Sequence, residues 1–159
     1  MTPEQTRIVQ ETWKQVVPIA DAAGELFYRR LFEIDPSTCE LFRATDMPAQ
    51  RRKLLQMLAV AVRGLDNLDA LASTVEELGR RHAGYGVTDA HYDSVGAALL
   101  WTLQQGLGEA WTPAVAAAWT AAYGFLSGIM RRAAVRVHSA QTVRVASVSD
   151  QTAGPLQPT

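Results

Sequence analysis

The stretch EELGRRHAGYGV, residues 76–87, ends an amphipathic helix with one histidine in its last turn and two glycines shortly after it. Val75 and Leu78 precede His82 by seven and four residues, so the three side chains lie on one helical face. The imidazole therefore projects from an apolar stripe, either as a core histidine with a satisfied hydrogen bond or as a ligand. No His, Cys or carboxylate follows at the third or fourth position, which argues against a zinc site on this helix. A metal held by His82 alone must arrive inside a cofactor.

Apolar residues at helical spacing, separated by short turn signals, fill the first 130 residues. There is no Asn-Gly or Asp-Gly hairpin signal and no sustained alternating run. The pattern predicts an all-α fold, with helix starts at residues that commonly cap helices, among them Thr2 in a capping box with Gln5 and Asp46 before Met47-Pro48, and ends at proline or glycine. The predicted helices cover residues 3–17, 20–34, 36–41, 47–64, 70–82, 88–106 and 112–133.

The charge of the chain is nearly balanced, with 15 Lys and Arg against 16 Asp and Glu. Such a balance argues against nucleic acid as a partner, because phosphate binding needs a dense positive face. The single cysteine, Cys39, excludes an intramolecular disulfide, and we expect it to be a packed thiol. The first residues lack the features of a signal peptide, so we expect a cytoplasmic protein.

An uncharged stretch, residues 110–130, is about as long as a membrane-spanning helix. It is rich in alanine and contains proline and glycine, and its larger residues repeat at helical spacing. We therefore predict a central buried helix of a soluble protein and no membrane span. Beyond it, residues 134–159 are polar and predict a flexible tail after a domain of residues 1–133. A short edge strand or docking peptide around residues 143–148 is the alternative.

Two polar residues lie on otherwise apolar helices. Tyr28 lies beside the stripe formed by Phe27, Leu31 and Ile34, and a buried tyrosine hydroxyl needs a hydrogen-bond partner. Gln50 begins a stripe that continues through Leu54, Leu58 and Ala61. By themselves these residues leave open a core tyrosine bonded to a backbone carbonyl and a solvated glutamine in a first helical turn.

Over residues 1–130 the chain resembles bacterial single-domain haemoglobins, and more closely the globins similar to the haem domain of flavohaemoglobins, including methanotroph-type thermostable globins. The resemblance rests on LFYRRLFEIDPSTCELF, QRRKLLQ, LGRRHAGYGV, AHYDSVG and AWTAAYG, in that order. The spacings agree, since Tyr28 precedes Phe42 by 14 residues and His82 follows Gln50 by 32. The resemblance implies a globin fold, a 3-on-3 helical sandwich around one haem b (iron protoporphyrin IX).

The resemblance also assigns roles to residues. It implies that His82 is the proximal iron ligand, that Tyr28 and Gln50 are the distal polar pair, and that Phe42 stacks on the porphyrin. The other residues expected around the cofactor are Leu54, Lys53, Leu78, Tyr85, Val87 and Tyr92. Near the propionate edge, Arg52, Lys53 and Arg81 either pair with carboxylates or are solvated. His91 and His138 are not expected to be ligands.

One departure from the family bears on function. Flavohaemoglobin domains carry a glutamate fifteen residues after the tryptophan that corresponds to Trp119, whereas this chain has Ala134. A proximal carboxylate strengthens the imidazole as a donor, so its absence favours binding over oxygen activation.

The resemblance therefore implies reversible binding of dioxygen, with NO, CO or sulfide as further ligands, at a pentacoordinate iron. The alternative is a nitric oxide dioxygenase served by a separate reductase, and the second alternative is a haem-based sensor or electron carrier. We expect a monomer or a weak homodimer.

Overall fold

The computed structural model describes the backbone of residues 1–151 and the side chains of residues 1–144. Within this part of the chain every regular element is a helix, so the all-α prediction is confirmed. The α-helices are α1 (Pro3–Val16), α2 (Ala20–Ile34), α3 (Met47–Gly64), α4 (Leu68–Gly84), α5 (Asp89–Leu107) and α6 (Pro113–Gln151). Short 3₁₀ helices cover Val17–Ile19, Pro36–Phe42 and Gly108–Ala110.

Side-chain caps set the helix starts. Thr2 and Gln5 form the expected capping box of α1, in which each side chain accepts a hydrogen bond from the backbone N–H of the other residue. Helix α4 begins two residues before the predicted start, because the Asn67 side chain accepts a 3.3 Å hydrogen bond from the Ala70 N–H. The cap at Asn67 was not predicted. Helix α4 is one turn longer than expected because it starts after Asn67 and ends at Gly84.

The helices cross in pairs, with α4 packed on α6, α2 on α5, α1 on α6 and α2 on α3. Glycine permits two of these crossings. A methyl group at Gly79 would lie 2.7 Å from the Cα of Met130, and one at Gly24 would lie 3.1 Å from the Cβ of Arg51. The close approach of α2 to α3 at Gly24 brings the next turn of α2, which carries Tyr28, beside the start of α3.

A buried hydrogen bond joins the first and last helices. The Trp119 indole Nε1–H donates to the Thr12 hydroxyl across 2.9 Å, and that hydroxyl donates to the Ile8 carbonyl across 2.7 Å. Both polar side chains are buried and both are satisfied, as buried polar groups must be. Trp13 packs against Trp119 with ring centroids 6.2 Å apart.

Helix α6 extends well beyond residue 133, where we expected it to end. The chain contains no glycine or proline between Gly128 and Gly154, and many of the intervening residues are alanine and arginine, which favour helix. Residues 143–148, the alternative edge strand, are helical. Residues 152–159 of the predicted tail lie outside the described residues, and the domain boundary at residue 133 stays a prediction.

By length and composition alone, the segment Pro113–Arg144 of α6 is long and apolar enough to cross a membrane. Its inner face is nevertheless part of the protein core, with Val115, Trp119 and Ile129 buried against α1 and α4. These contacts support the predicted central buried helix. The length and composition of the segment agree with that prediction, because a buried core helix passes the same test as a membrane-spanning one.

Candidate functional site

Tyr28 lies in an aromatic cluster at the end of α2. Its ring is 5% exposed and meets Phe27 and Phe42 in edge-on contacts, with ring centroids 4.9 and 5.3 Å apart. Phe32 lies four residues after Tyr28 on the same helix, and the two ring centroids are 6.0 Å apart. By contrast Ile34, which we expected on the inner stripe, is exposed at the last turn of α2. Phe42 comes from the 3₁₀ helix Pro36–Phe42, so two elements build the cluster around the phenol.

The partner of the Tyr28 hydroxyl is Gln50. The Gln50 Nε2 donates to the Tyr28 oxygen across 3.2 Å, which joins the first turn of α3 to α2. The sequence left open a backbone partner for Tyr28 and a solvated Gln50. The structure shows neither, because the two side chains bind each other. Burial raises the pKa of Tyr28, and the hydrogen bond from Gln50 lowers it less, so the phenol stays protonated at neutral pH. Because the oxygen accepts from Gln50, its own proton is available for another acceptor.

The inner face of α3 next to Gln50 is apolar. Leu54 and Leu58 follow Gln50 at helical spacing and line a small internal cavity of ≈ 20 Å³. The other lining residues are Trp13, Val16, Ala23, Phe27, Leu55, Leu99, Thr102 and Leu103. The one hydroxyl among them, that of Thr102, donates to the Ala98 carbonyl across 2.7 Å. The cavity offers water too few partners, and we expect it to be dry.

His82 lies half-buried in the last turn of α4. Its Nδ1 is 2.8 Å from the Leu78 carbonyl oxygen, and because a carbonyl only accepts, the Nδ1–H must donate. Burial lowers the pKa of His82, with a smaller opposing effect from the Leu78 carbonyl, so the ring is neutral at pH 7. The lone pair is therefore on Nε2, which has no hydrogen-bond partner among the described residues. His82 is thus satisfied at one nitrogen and free to act as a ligand at the other.

A bare metal ion has no site in the described part of the chain, since no group of three or more His, Cys, Asp or Glu side chains could hold one. The donor chemistry fits a cofactor that brings its own equatorial ligands. One neutral imidazole with a fixed tautomer can supply an axial ligand, and the Leu78 carbonyl orients the ring. These residues therefore fit haem.

The turn after His82 reverses the chain at Gly86, which has a positive φ of 85°. The Val87 N–H donates back to the His82 carbonyl across 3.2 Å and closes the end of α4. Val87 is half-buried, whereas Tyr85 is 73% exposed. Of the apolar and aromatic residues that the resemblance expects around the cofactor, Tyr85 is thus the one whose side chain is in solvent.

Tyr92, on α5, has a buried hydroxyl with no hydrogen-bond partner among the described residues. Its ring is covered by Arg131, whose guanidinium carbon lies 5.4 Å from the ring centroid and which also pairs with Asp89 and Asp93 at 3.1 and 2.7 Å. At position 134, where the family carries a carboxylate, Ala134 is buried and offers no acceptor. Arg131 was not predicted at this position, because it lies far from Tyr92 along the chain.

A polar cluster joins the 3₁₀ helix that carries Phe42 to the start of α5. Asp35 accepts hydrogen bonds from the Ser37 hydroxyl at 2.5 Å and from the Ser94 hydroxyl at 2.7 Å. The Ser37 hydroxyl also lies 3.3 Å from the His91 Nε2, and the His91 Nδ1 accepts from the Thr88 N–H at 2.9 Å. His91 thus caps the first turn of α5. The proline after Asp35 predicted the end of α2 here, but nothing in the sequence predicted that Asp35 would bind Ser37 and Ser94.

Cys39 is exposed, so the prediction of a packed thiol was wrong. The residue before it, Thr38, is buried instead and donates its hydroxyl to the Asp35 carbonyl across 2.6 Å. In a 3₁₀ helix of three residues per turn, adjacent side chains point about 120° apart, so burying Thr38 turns Cys39 outward.

The expected propionate-edge residues are basic and exposed. Arg52 and Lys53 have no ion pair in the described part of the chain, whereas Arg81 lies 3.6 Å from Glu77. Because Arg52 and Lys53 have no ion-pair partner among the described residues, their side chains are available to a bound carboxylate or to another partner.

Known proteins share sequence and fold with this chain. The family model for globins matches residues 25–130. A flavohemoprotein from Vibrio cholerae is 33% identical over 81% of this chain, which spans 33% of that protein's length. A protein from Casuarina glauca named anaerobic nitrite reductase HBII is 30% identical, with 77% of this chain and 85% of that protein covered. Among solved structures, a hexacoordinated heme protein from an anhydrobiotic tardigrade is similar with a TM-score of 0.76 at 19% identity, covering 84% of this chain and 94% of that one.

The chain belongs to the globin family. The resemblance to flavohaemoglobin haem domains is confirmed, and so is the globin fold. The chain spans about a third of the length of the flavohemoproteins that it matches. Family and relatives together support haem-based binding of small ligands as its general function.

Proposed function

We propose that this globin binds dioxygen reversibly at a haem b held by His82, beneath a distal pair formed by Tyr28 and Gln50. The hydrogen bond from Gln50 to the Tyr28 oxygen, inside an aromatic cluster, carries the proposal. Haem supplies a ferrous iron that binds diatomic ligands reversibly. NO, CO and sulfide are the further ligands that such a centre accommodates.

On the distal side, this chain's residues supply a donor in a dry surrounding. The Tyr28 proton is not used by Gln50 and is free to donate to a ligand that gains negative charge on binding. Phe42 contacts the Tyr28 ring, and the partly buried Leu54 follows Gln50 on the same face of α3. We expect these apolar side chains to limit access of water. A preorganised donor in such a site stabilises a polarised ligand more than it would in water, so we expect tight binding and slow release.

On the proximal side, the acceptor for His82 is the Leu78 carbonyl, an uncharged group. A carboxylate in that position would make the imidazole a stronger donor. The Tyr92 hydroxyl has no described partner, and Ala134 supplies none. Both observations favour storage, delivery or buffering of oxygen over efficient turnover.

A nitric oxide dioxygenase, converting NO and dioxygen to nitrate with a separate reductase, is the second candidate. The same Tyr28 and Gln50 pair suits it, and relatives of this chain are named flavohemoproteins. Rapid mixing of the oxygenated protein with NO, followed by repeated additions with a cellular reductant, separates the two functions. A single fast turnover without sustained cycling supports binding, and steady nitrate formation supports the enzyme.

The first test of the proposed function is spectroscopic. The purified protein is loaded with hemin, reduced with dithionite, freed of excess reductant and exposed to air, and the visible spectrum is followed for an hour. A persistent oxy-type spectrum supports the proposal, and rapid conversion to the ferric form contradicts it.

A six-coordinate spectrum of the deoxygenated ferrous form would favour a sensor or electron carrier instead, and a pyridine haemochrome spectrum checks for haem b. A cytoplasmic location and a monomer or weak homodimer remain part of the proposal.

A further inference from the structure

Helix α3 carries only positive charge. Its four ionised side chains are Arg51, Arg52, Lys53 and Arg63, and it contains no Asp or Glu. Residues 1–130 as a whole are acidic, with 11 Lys and Arg against 15 Asp and Glu. Helix α3 is thus net positive within an acidic region, and it also supplies Gln50 to the candidate site.

The exposed cations lie on the outer face of α3, at Arg52, and at the edge of that face, at Lys53. Gln50, Leu54 and Leu58 define the inner face, and Arg51 packs against Gly24 of α2. At 100° per residue Lys53 lies about 60° from Gln50 around the helix axis, and Arg52 lies nearly opposite. Both side chains are exposed, and both residues lie within one helical turn of Gln50.

These cations are not neutralised within the described residues. Basic residues elsewhere, such as Arg7, Lys14 and Arg80, have a carboxylate within 3.0 Å. Arg52 and Lys53 have none in the described part of the chain. Unpaired charges of one sign beside a site raise the local concentration of partners of the opposite sign.

We propose that the outer face of α3 around Arg52 and Lys53 is the docking surface for an acidic electron-transfer protein with a flavin or iron–sulfur group. The proposal rests on the proposed function, because a globin whose iron becomes ferric binds no more dioxygen until it is reduced. One electron passes from the reduced donor, which is oxidised by one electron, to the ferric iron, which becomes ferrous. No atom is transferred. The competing role for the same side chains is to pair with haem propionates.

The probe is a bacterial flavodoxin, a small acidic protein with flavin mononucleotide, used as the hydroquinone to reduce the ferric haem-loaded globin under anaerobic stopped-flow conditions. We compare wild type, the double variant Arg52→Gln with Lys53→Gln, and the control Arg63→Gln. Arg63 lies on the same helical face, about 16 Å further along α3 at 1.5 Å per residue. Free lumiflavin semiquinone, a small uncharged donor, reports how open the haem is in each variant.

At low ionic strength we expect the double variant to lose about tenfold in the flavodoxin rate relative to its lumiflavin rate, and the wild-type rate to fall as salt increases. Arg63→Gln should lose less than about twofold. An unchanged ratio in the double variant, or equal effects at Arg63, overturns the docking surface. Equal slowing with both donors and faster haem loss would assign the cations to the propionates and also overturn it.

A second readout is independent of electron transfer. Amide chemical shifts of the carbon monoxide form are followed by NMR during titration with oxidised flavodoxin. Shifts centred on residues 51–56 that vanish at high salt support the docking surface, and shifts elsewhere or none overturn it. Failure of hemin to bind would overturn the proposed function and this surface together. Bound haem without flavodoxin contact would overturn the surface alone.

Discussion

Gln50 donates its side-chain amide hydrogen to the oxygen of Tyr28 across 3.2 Å, and this bond fixes which atom of the pair is left to donate. The phenol oxygen is an acceptor toward Gln50, so its proton is directed to whatever third group enters the cluster. The pair is thus already arranged before a ligand arrives, which removes the cost of reorganising it on binding.

Changing Tyr28→Phe should accelerate dioxygen release by about tenfold or more, since a hydrogen bond to a polarised acceptor contributes about 1.5–3 kcal/mol. Gln50→Leu should have a smaller effect in the same direction, because it removes the residue that orients the phenol. Stopped-flow displacement of dioxygen by CO measures the rate. Tyr123→Phe is the matched control, because its hydroxyl donates to the Tyr92 carbonyl and not to Gln50. An unchanged release rate in Tyr28→Phe would remove the phenol from the mechanism.

His82→Ala should abolish stable haem binding, because it removes a half-buried imidazole whose Nε2 has no hydrogen-bond partner among the described residues. Haem content per protein, measured after gel filtration, should fall to background, and added imidazole should restore the Soret band. His91→Ala serves as the control, since its ring caps α5 through the Thr88 N–H. Retention of full haem content by His82→Ala would show that another residue holds the cofactor.

Thr12→Val should lower the free energy of unfolding by about 1–3 kcal/mol, because it leaves the buried Trp119 Nε1–H without its acceptor. Denaturant unfolding monitored by circular dichroism gives the value. Thr120→Val on the exposed face of α6 is the control and should change stability by less than about 0.5 kcal/mol. Equal losses in the two variants would mean that the hydrogen bond to Trp119 has no special role.

Gly79→Ala should destabilise the fold by about 1–3 kcal/mol and weaken haem retention, because the new methyl group would meet the Met130 backbone at 2.7–2.8 Å and push α4 from α6. Gly124→Ala, in the interior of α6 with no atom within 4 Å of the new methyl group, should instead stabilise by up to about 1 kcal/mol. Thermal unfolding with and without haem measures both. If the two variants shift the melting temperature by the same amount and in the same direction, the close approach of α4 to α6 at Gly79 does not limit the stability of the fold.

The acid stability of the protein should depend on Asp35. Hydrogen bonds from Ser37 and then from Ser94 lower the pKa of Asp35 below its usual range near 4. The unfolded chain therefore binds the proton first as the pH falls, so the contribution of Asp35 is present above its unfolded pKa and is lost as the pH falls through its folded pKa. Asp35→Asn should flatten the stability curve below about pH 4. Asp66→Asn, whose side chain has no hydrogen bond in the described residues, should leave the slope intact.

Much of the fold was readable from local patterns. Caps at Thr2 and Asp46, apolar residues at helical spacing and the glycines after His82 predicted most helices to within a few residues, because these signals act between near neighbours. The predictions were wrong where no residue marked the end of a helix, and where the sequence did not show which side of a short helix is buried. The end of α6 was placed too early, since polar composition alone does not stop a helix that lacks glycine and proline. Cys39 was placed inside because sequence gives no phase for a 3₁₀ turn.

The sequence by itself determined the family and the helical character, and it indicated Tyr28, Gln50 and His82 as candidate site residues, because residue types and their spacings can be read directly from the chain. Only the tertiary structure decided that Gln50 donates to Tyr28, that Leu78 fixes the tautomer of His82, and that Arg131 rather than a carboxylate lies on Tyr92. The physical reason is that the direction of a hydrogen bond and the partner of a buried group depend on how helices cross. Those crossings are set by close approaches, such as those at Gly24 and Gly79, between residues distant in the chain.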